Sequence, residues 1–88
     1  MPPAADRMAQ VILPLDAART WFGGREAVSA GGDTVFAVVR ALNAAAPGFA
    51  DVARRRYVFA VDGVLASDWS TPVGPDAEVL VVAKVAGG

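Results

Sequence analysis

The side chains that usually do chemistry at neutral pH are either missing from this chain or scattered along it. Its 88 residues include no cysteine and no histidine. That removes thiolate nucleophiles, disulfides and zinc-thiolate sites, together with the commonest general base. Asp6, Asp16, Glu26 and Asp51 have no ligand spacing, so no metal is expected. What remains is the segment Val85-Ala86-Gly87-Gly88 with which the sequence ends. At a glycine content near one in ten, a terminal glycine pair arises by chance in roughly one chain in a hundred. A glycine pair has no Cβ. The Gly88 carboxylate can therefore pass down a narrow channel, with Val85, Ala86 and Gly87 threading behind it, and meet a nucleotide or a nucleophile in a partner's active site.

Length and composition set the frame for that tail. At 88 residues, 55% of them hydrophobic and 19% charged, the chain has room for one domain and one modest core. No apolar run approaches the length of a membrane span. A formal charge of -1 and a pI near 5.1 provide no basic surface for nucleic acid or an anionic membrane, so neither is expected as a partner. Residues 1–7 have neither a basic n-region nor an apolar h-region; they read as a disordered arm, and a cytoplasmic address follows by default. Met8, where the first patterned segment begins, is an alternative natural start.

The elements that must carry the tail follow from turn signals and periodicity. Met8 to Leu15 is short, apolar and β-prone, with Pro14 near its end, and reads as a first strand closing before Asp16. Asp16 to Gly24 reads as a loop ending in a glycine turn, and Arg25 to Ala30 as the second arm of an antiparallel hairpin. Asp33 or Thr34 can cap a helix running to about Ala46, on which Val35, Val38, Val39 and Leu42 form one apolar stripe. Pro47-Gly48 stops it. Phe49 to Arg56 includes a helical turn, Tyr57 to Val61 is a strand, Asp62-Gly63 a tight turn, and Val64-Leu65 a short strand or bridge. Ser67 to Asp76 is irregular and Glu78 to Lys84 is the last strong strand. The order ββαβ(β)β with one main helix predicts an α+β roll in which that helix covers one sheet face. Along the last strand Val79 and Val81 point one way and Leu80 and Val82 the other, so both faces are apolar. With one helix available, the second face is a candidate partner surface.

These residues resemble the ubiquitin-like β-grasp sulfur carriers, the small subunit of molybdopterin synthase (MoaD) and the thiamine-pathway carrier ThiS. The resemblance runs from Met8 to Gly88, with a β-grasp domain over residues 8–84 and a flexible Gly-Gly tail over 85–88. It is carried by Gly23-Gly24, Asp33-Thr34-Val35, Val61-Asp62-Gly63, the stretch Thr71 to Val79, and Val85-Ala86-Gly87-Gly88. It implies a mixed sheet of four to five strands and a carrier rather than an enzyme. It also implies a cycle in which an E1-like activating enzyme uses ATP to adenylate Gly88, with no cofactor bound to the carrier. The resulting thiocarboxylate then donates sulfur to an acceptor such as a molybdopterin synthase large subunit. No carrier side chain takes part, which agrees with the missing cysteine and histidine. The chain departs from the molybdopterin pattern in having Ala83-Lys84 where Pro-Pro is common, and Asp76-Ala77-Glu78 where Gly-Asp-Glu is usual. Its length favours the molybdopterin type, whereas Trp69 is similar to a feature of some thiamine carriers. Carriers for cysteine, thiolated RNA or a natural product share the architecture. A protein modifier joined to lysines and an interaction-only domain are the readings from other classes.

Three further features carry a bland and a functional reading. Arg54-Arg55-Arg56 is a solvated surface, with a docking patch for an acidic partner as the alternative. Trp21, Phe22 and Trp69 are packing residues, with interface anchors as the alternative. Phe36 lies off the helix stripe and joins Leu80 and Val82 as a candidate interface residue.

Overall fold

A computed structural model describes residues 8–84. The N-terminal arm, residues 1–7, and the tail residues Val85, Ala86, Gly87 and Gly88 lie outside the described residues. Eight elements follow one another: β1 (Ala9–Ile12), α1 (Leu15–Trp21), β2 (Ala27–Ala30), α2 (Val35–Ala45), α3 (Phe49–Arg56), β3 (Tyr57–Val61), β4 (Val64–Leu65) and β5 (Glu78–Ala83). The strands form one mixed sheet in the order β2-β1-β5-β3-β4, with β1 and β5 parallel and every other pair antiparallel. The expected antiparallel pairing of the first two strands is present, with a helix rather than a tight turn between them, and the last strand lies at the centre of the sheet.

The helical layer is richer than the sequence reading. The segment expected to be a loop, Asp16 to Gly24, is mostly helix α1. Pro14 occupies its N-cap, Asp16 lies in its first turn and Arg19 in its last, each favourable to the helix dipole. Gly23-Gly24 ends this helix rather than serving as a hairpin turn. Both residues take positive φ (64° and 89°), and the Gly24 N–H donates to the Ala18 carbonyl at 2.8 Å. Phe49 to Arg56 is a complete eight-residue helix, not an isolated turn. Asn43 starts it: its Oδ1 accepts from the amides of Gly48 (3.1 Å) and Ala50 (2.9 Å). The order is thus βαβααβββ, and the single covering helix becomes three.

The helix read from periodicity, α2, forms as expected. Thr34 caps it by accepting the Ala37 amide at 3.1 Å, and Val35, Val38, Val39 and Leu42 are all buried. The irregular stretch before β5 completes the cap: the carbonyls of Trp69 and Thr71 accept the amides of Phe36 (2.8 Å) and Val35 (3.0 Å). The amides of Val35, Phe36 and Ala37, which have no partner within the helix, are thus all satisfied, and the Val38 N–H makes the first helical bond, to the Thr34 carbonyl. Gly32 makes the approach possible. Its φ is 149°, and a Cβ there would lie 2.8 Å from the Val38 nitrogen.

One core lies between the helices and the sheet. Phe49 is its aromatic hub, with Phe22 (5.3 Å), Trp21 (6.1 Å) and Tyr57 (6.2 Å) around it, measured between ring centroids. Ala17 and Ala18 of α1, the α2 stripe, and Val11, Phe59, Val79 and Val81 of the sheet belong to the same cluster. Since all three helices contribute to this cluster, they cover one face of the sheet and leave the other open.

Candidate functional site

The candidate site is the tail, the strand that delivers it, and the surfaces around the point where the chain leaves the sheet. Strand β5 holds the centre because it is bonded along both edges, to β1 over Gln10–Ile12 and to β3 over Tyr57–Val61. Its last bonded positions are Ala83, opposite Tyr57, and Lys84, whose N–H donates to the Arg56 carbonyl at 2.8 Å. The Lys84 ammonium donates to the Arg54 carbonyl at 2.9 Å. The last described residue is therefore fastened to the C-terminal turn of α3.

The alternation along β5 divides its side chains as the period of two requires. Val79 is 0% and Val81 2% exposed on the helix side, whereas Leu80 is 41% and Val82 40% exposed on the other. Register extends this open face into a row. Ala27, Ile12, Leu80, Ala60 and Leu65 stand side by side on all five strands, and Val58 and Val82 form a second apolar pair nearer the tail. The next row, Ser29, Gln10 and Glu78, is polar. Apolar surface is thus concentrated on the side of the sheet toward the tail. The two-residue turn Asp62-Gly63, with φ of 49° and 86°, presents the exposed edge pair Val64 and Leu65.

Phe36 does not join that face. It stands on α2 in the helical layer, 48% exposed, with its ring 6.4 Å from Trp69. Leu80 and Val82 are brought together with each other; Phe36 lies on the opposite side of the sheet. Trp69 also packs edge-on against the buried Phe59 (5.9 Å) and carries the Arg54 guanidinium 4.5 Å from its ring centroid. Its loop is locked by Asp68, which accepts the Ser70 amide at 2.8 Å and the Ser70 hydroxyl, while the Asp68 carbonyl accepts from Thr71 Oγ1 at 2.7 Å. The two bonds from Ser70 hold the Asp68 carboxyl below its usual range. The packing reading of Trp21, Phe22 and Trp69 is the observed one: Phe22 is buried, and the two tryptophans are half-buried against the core.

On the other flank of α3 the Tyr57 hydroxyl donates to Asp16 Oδ2 at 3.4 Å. Burial, and then the Asp16 carboxylate beside it, raises the Tyr57 phenol above its ordinary value. Sequence reasoning missed two parts of this arrangement, the Asp16–Tyr57 pairing and the closure of α3 onto Lys84. The Pro14-x-Asp16 start and Arg19 near the end of α1 were the available signals for the first. Nothing local signals the second, because it joins residues far apart in sequence.

Among the described residues no cluster of acidic side chains, histidines or cysteines has the geometry of a metal site. No helix among them is long and apolar enough to cross a membrane. The geometry offers a firmly held central strand, β5, flanked by an open apolar face.

This architecture has solved counterparts. Mycobacterium tuberculosis CysO, described as an antigen, superposes with a TM-score of 0.79 at 22% identity, covering 88% of this chain and 99% of that one. The Amycolatopsis orientalis BexX/CysO complex superposes with a TM-score of 0.74 at 23% identity, covering 91% and 99%. No curated protein matched the sequence. The ThiS family model matches residues 15–88, from the start of α1 through the glycine pair. With a β-grasp sheet, and a family match over most of its length that reaches Gly88, the chain belongs to the ThiS family of ubiquitin-like sulfur carriers.

Proposed function

We propose that the chain carries sulfur as a thiocarboxylate on Gly88. The observation that carries this reading is the family match reaching through Gly87-Gly88 in a chain without cysteine or histidine. In the first step a carboxylate oxygen of Gly88 attacks the α-phosphorus of ATP on an activating enzyme, and pyrophosphate leaves. In the second, sulfur at the oxidation level of sulfide attacks the acyl carbon of the mixed anhydride, and AMP departs with its bonding pair. The product is a good nucleophile made from a poor electrophile, and the carrier supplies only a positioned main chain. Val85, Ala86 and Gly87 thread the partner's channel, and the open face around Leu80 and Val82 meets the activating enzyme and the sulfur acceptor. Exposed apolar rows on a strand this central are the support for that docking role.

Two destinations for the sulfur have a specific observation behind them. Chain length favours molybdopterin, with a molybdopterin synthase large subunit as acceptor. The name CysO in the two structures described above favours a cysteine pathway. The test of the shared step is direct. Protein incubated with its activating enzyme, ATP and sulfide gains the mass difference between sulfur and oxygen, and deletion of Gly88 abolishes the gain. Absence of any mass change with the cognate enzyme overturns the carrier reading, while isopeptide-linked adducts through Gly88 in cell extract would replace it with a protein modifier. Supplying each acceptor to the thiocarboxylate form then identifies the destination by which one removes the sulfur.

A further inference from the structure

We propose that Arg54, Arg55, Arg56 and Lys84 form a basic collar that docks on an acidic rim at the mouth of the activating enzyme's channel. This inference rests on the carrier reading above and names the chemistry of the surface the partner presents.

The collar is a product of the fold. Three of its cations end α3, and the fourth, Lys84, directly follows β5. They meet because the Lys84 N–H bonds the Arg56 carbonyl and the Lys84 ammonium bonds the Arg54 carbonyl. Basic residues in the last turn are accounted for in part by the helix dipole, which favours cations there. The dipole does not account for Lys84, which arrives from another element. Four of the chain's eight basic residues thus gather at one place in a protein whose formal charge is -1.

The collar's own partners neutralise it only in part. Arg55 pairs with Asp51 at 2.9 Å, but both side chains are mostly exposed, and such pairs are weak. Arg54 lies over the Trp69 ring. Arg56 and Lys84 have no ion pair among the described residues. The nearby carboxylates Asp68 and Asp16, bonded to Ser70 and to the Tyr57 hydroxyl, keep their charge and border the same clefts, but neither forms an ion pair with a collar cation among the described residues.

Covalent geometry then forces the collar into the interface. Gly88 is four residues beyond Lys84, and an extended chain spans at most about 3.6 Å per residue. The reacting carboxylate therefore lies within about 14 Å of Lys84. When Gly88 is inside a partner's active site, the Arg56–Lys84 junction must be pressed against the entrance. A neutral or basic entrance would leave Arg56 and Lys84 partly desolvated without a paired counter-charge, whereas carboxylates there repay the desolvation and steer the approach. Nucleic acid is the less favoured polyanion because the rest of the chain carries more acidic than basic residues.

The experiment compares the wild type with Arg56→Glu/Lys84→Glu, Arg56→Lys/Lys84→Arg and Arg40→Glu in pyrophosphate release by the activating enzyme. Arg40 is exposed on α2 and outside the collar. Circular dichroism checks that each variant is folded. The expected result is a KM raised roughly tenfold or more by the double reversal with kcat little changed, since rim charges act mainly on encounter. The conservative pair keeps the wild-type KM, as does Arg40→Glu. Raising ionic strength from about 0.05 to about 0.3 M raises the wild-type KM and narrows the gap to the double reversal. An unchanged KM in the folded double reversal overturns the collar, as does an equal rise in Arg40→Glu, which would indicate net charge alone. Both outcomes leave the carrier reading standing. Failure of the wild type itself to release pyrophosphate instead refutes the carrier reading.

Discussion

Adjacent residues Val81 and Val82 differ in almost nothing but the face of β5 they occupy, so truncating each to alanine isolates what the fold does with that face. Val→Ala removes the equivalent of two methylenes, about 1.6 kcal/mol of transfer free energy at about 0.8 each. Val81 is 2% exposed, so Val81→Ala loses all of that and leaves a cavity, for about 2–3 kcal/mol. Val82 is already 40% exposed, so Val82→Ala loses about 1 kcal/mol or less and opens no closed cavity. Leu80→Asp extends the comparison to binding. It costs the isolated fold little on an exposed face, yet it places a carboxylate where a partner would desolvate it, and should raise the KM for activation about 10- to 100-fold. Urea unfolding followed by Trp21 and Trp69 fluorescence gives the stabilities, and pyrophosphate release gives the kinetics. Equal destabilisation at positions 81 and 82 would refute the two-faced strand, and an unaltered KM for folded Leu80→Asp would refute docking through the open face.

Gly32→Ala is expected to cost about 2–4 kcal/mol in urea unfolding, because φ near 149° is strained for alanine and the new Cβ would press on the first turn of α2. Thr34→Ala should cost about 1 kcal/mol by removing the acceptor for the Ala37 amide, and Thr34→Ser should restore most of it. The Tyr57 phenol is raised in the folded state, so its contribution is intact below the unfolded tyrosine pKa and is lost as pH climbs through the raised folded value. The urea midpoint should therefore fall above about pH 10, and less steeply in Tyr57→Phe. An identical alkaline profile for the two proteins would remove Tyr57 from the account.

How much of the fold was legible depends on how local its cause is. Val35, Val38, Val39 and Leu42 recur at helical spacing behind a capping threonine, so the sequence showed α2, its buried stripe and its start. Tyr57 to Val61 and Glu78 to Ala83 are β-branched or aromatic enough to read as strands, and Asp62-Gly63 supplies the positive φ that a two-residue hairpin needs. Helix α1 was missed because its apolar side consists of the small residues Ala17 and Ala18, which make a weak periodic signal. Its glycine pair, which has the composition of a hairpin turn, is a helix stop. The extent of α3 was missed for a similar reason: its first amides are capped by Asn43, which belongs to the preceding helix.

The sequence by itself removed the thiolate nucleophiles and the histidine general base, because cysteine and histidine are absent. It also left Gly87-Gly88 as the candidate reactive feature and showed that Leu80 and Val82 alternate against Val79 and Val81. Only the tertiary structure decided which of those two faces is covered, since three helices rather than one pack on the Val79–Val81 side. It separated Phe36 from Leu80 and Val82 by the thickness of the sheet, which no spacing in the chain could reveal. It also joined Lys84 to the arginines of α3, turning a charge run into a collar at the root of the tail. Alternation and capping are fixed by neighbours in sequence, whereas which surfaces meet is fixed by strand order and register, and these depend on contacts between residues far apart in the chain.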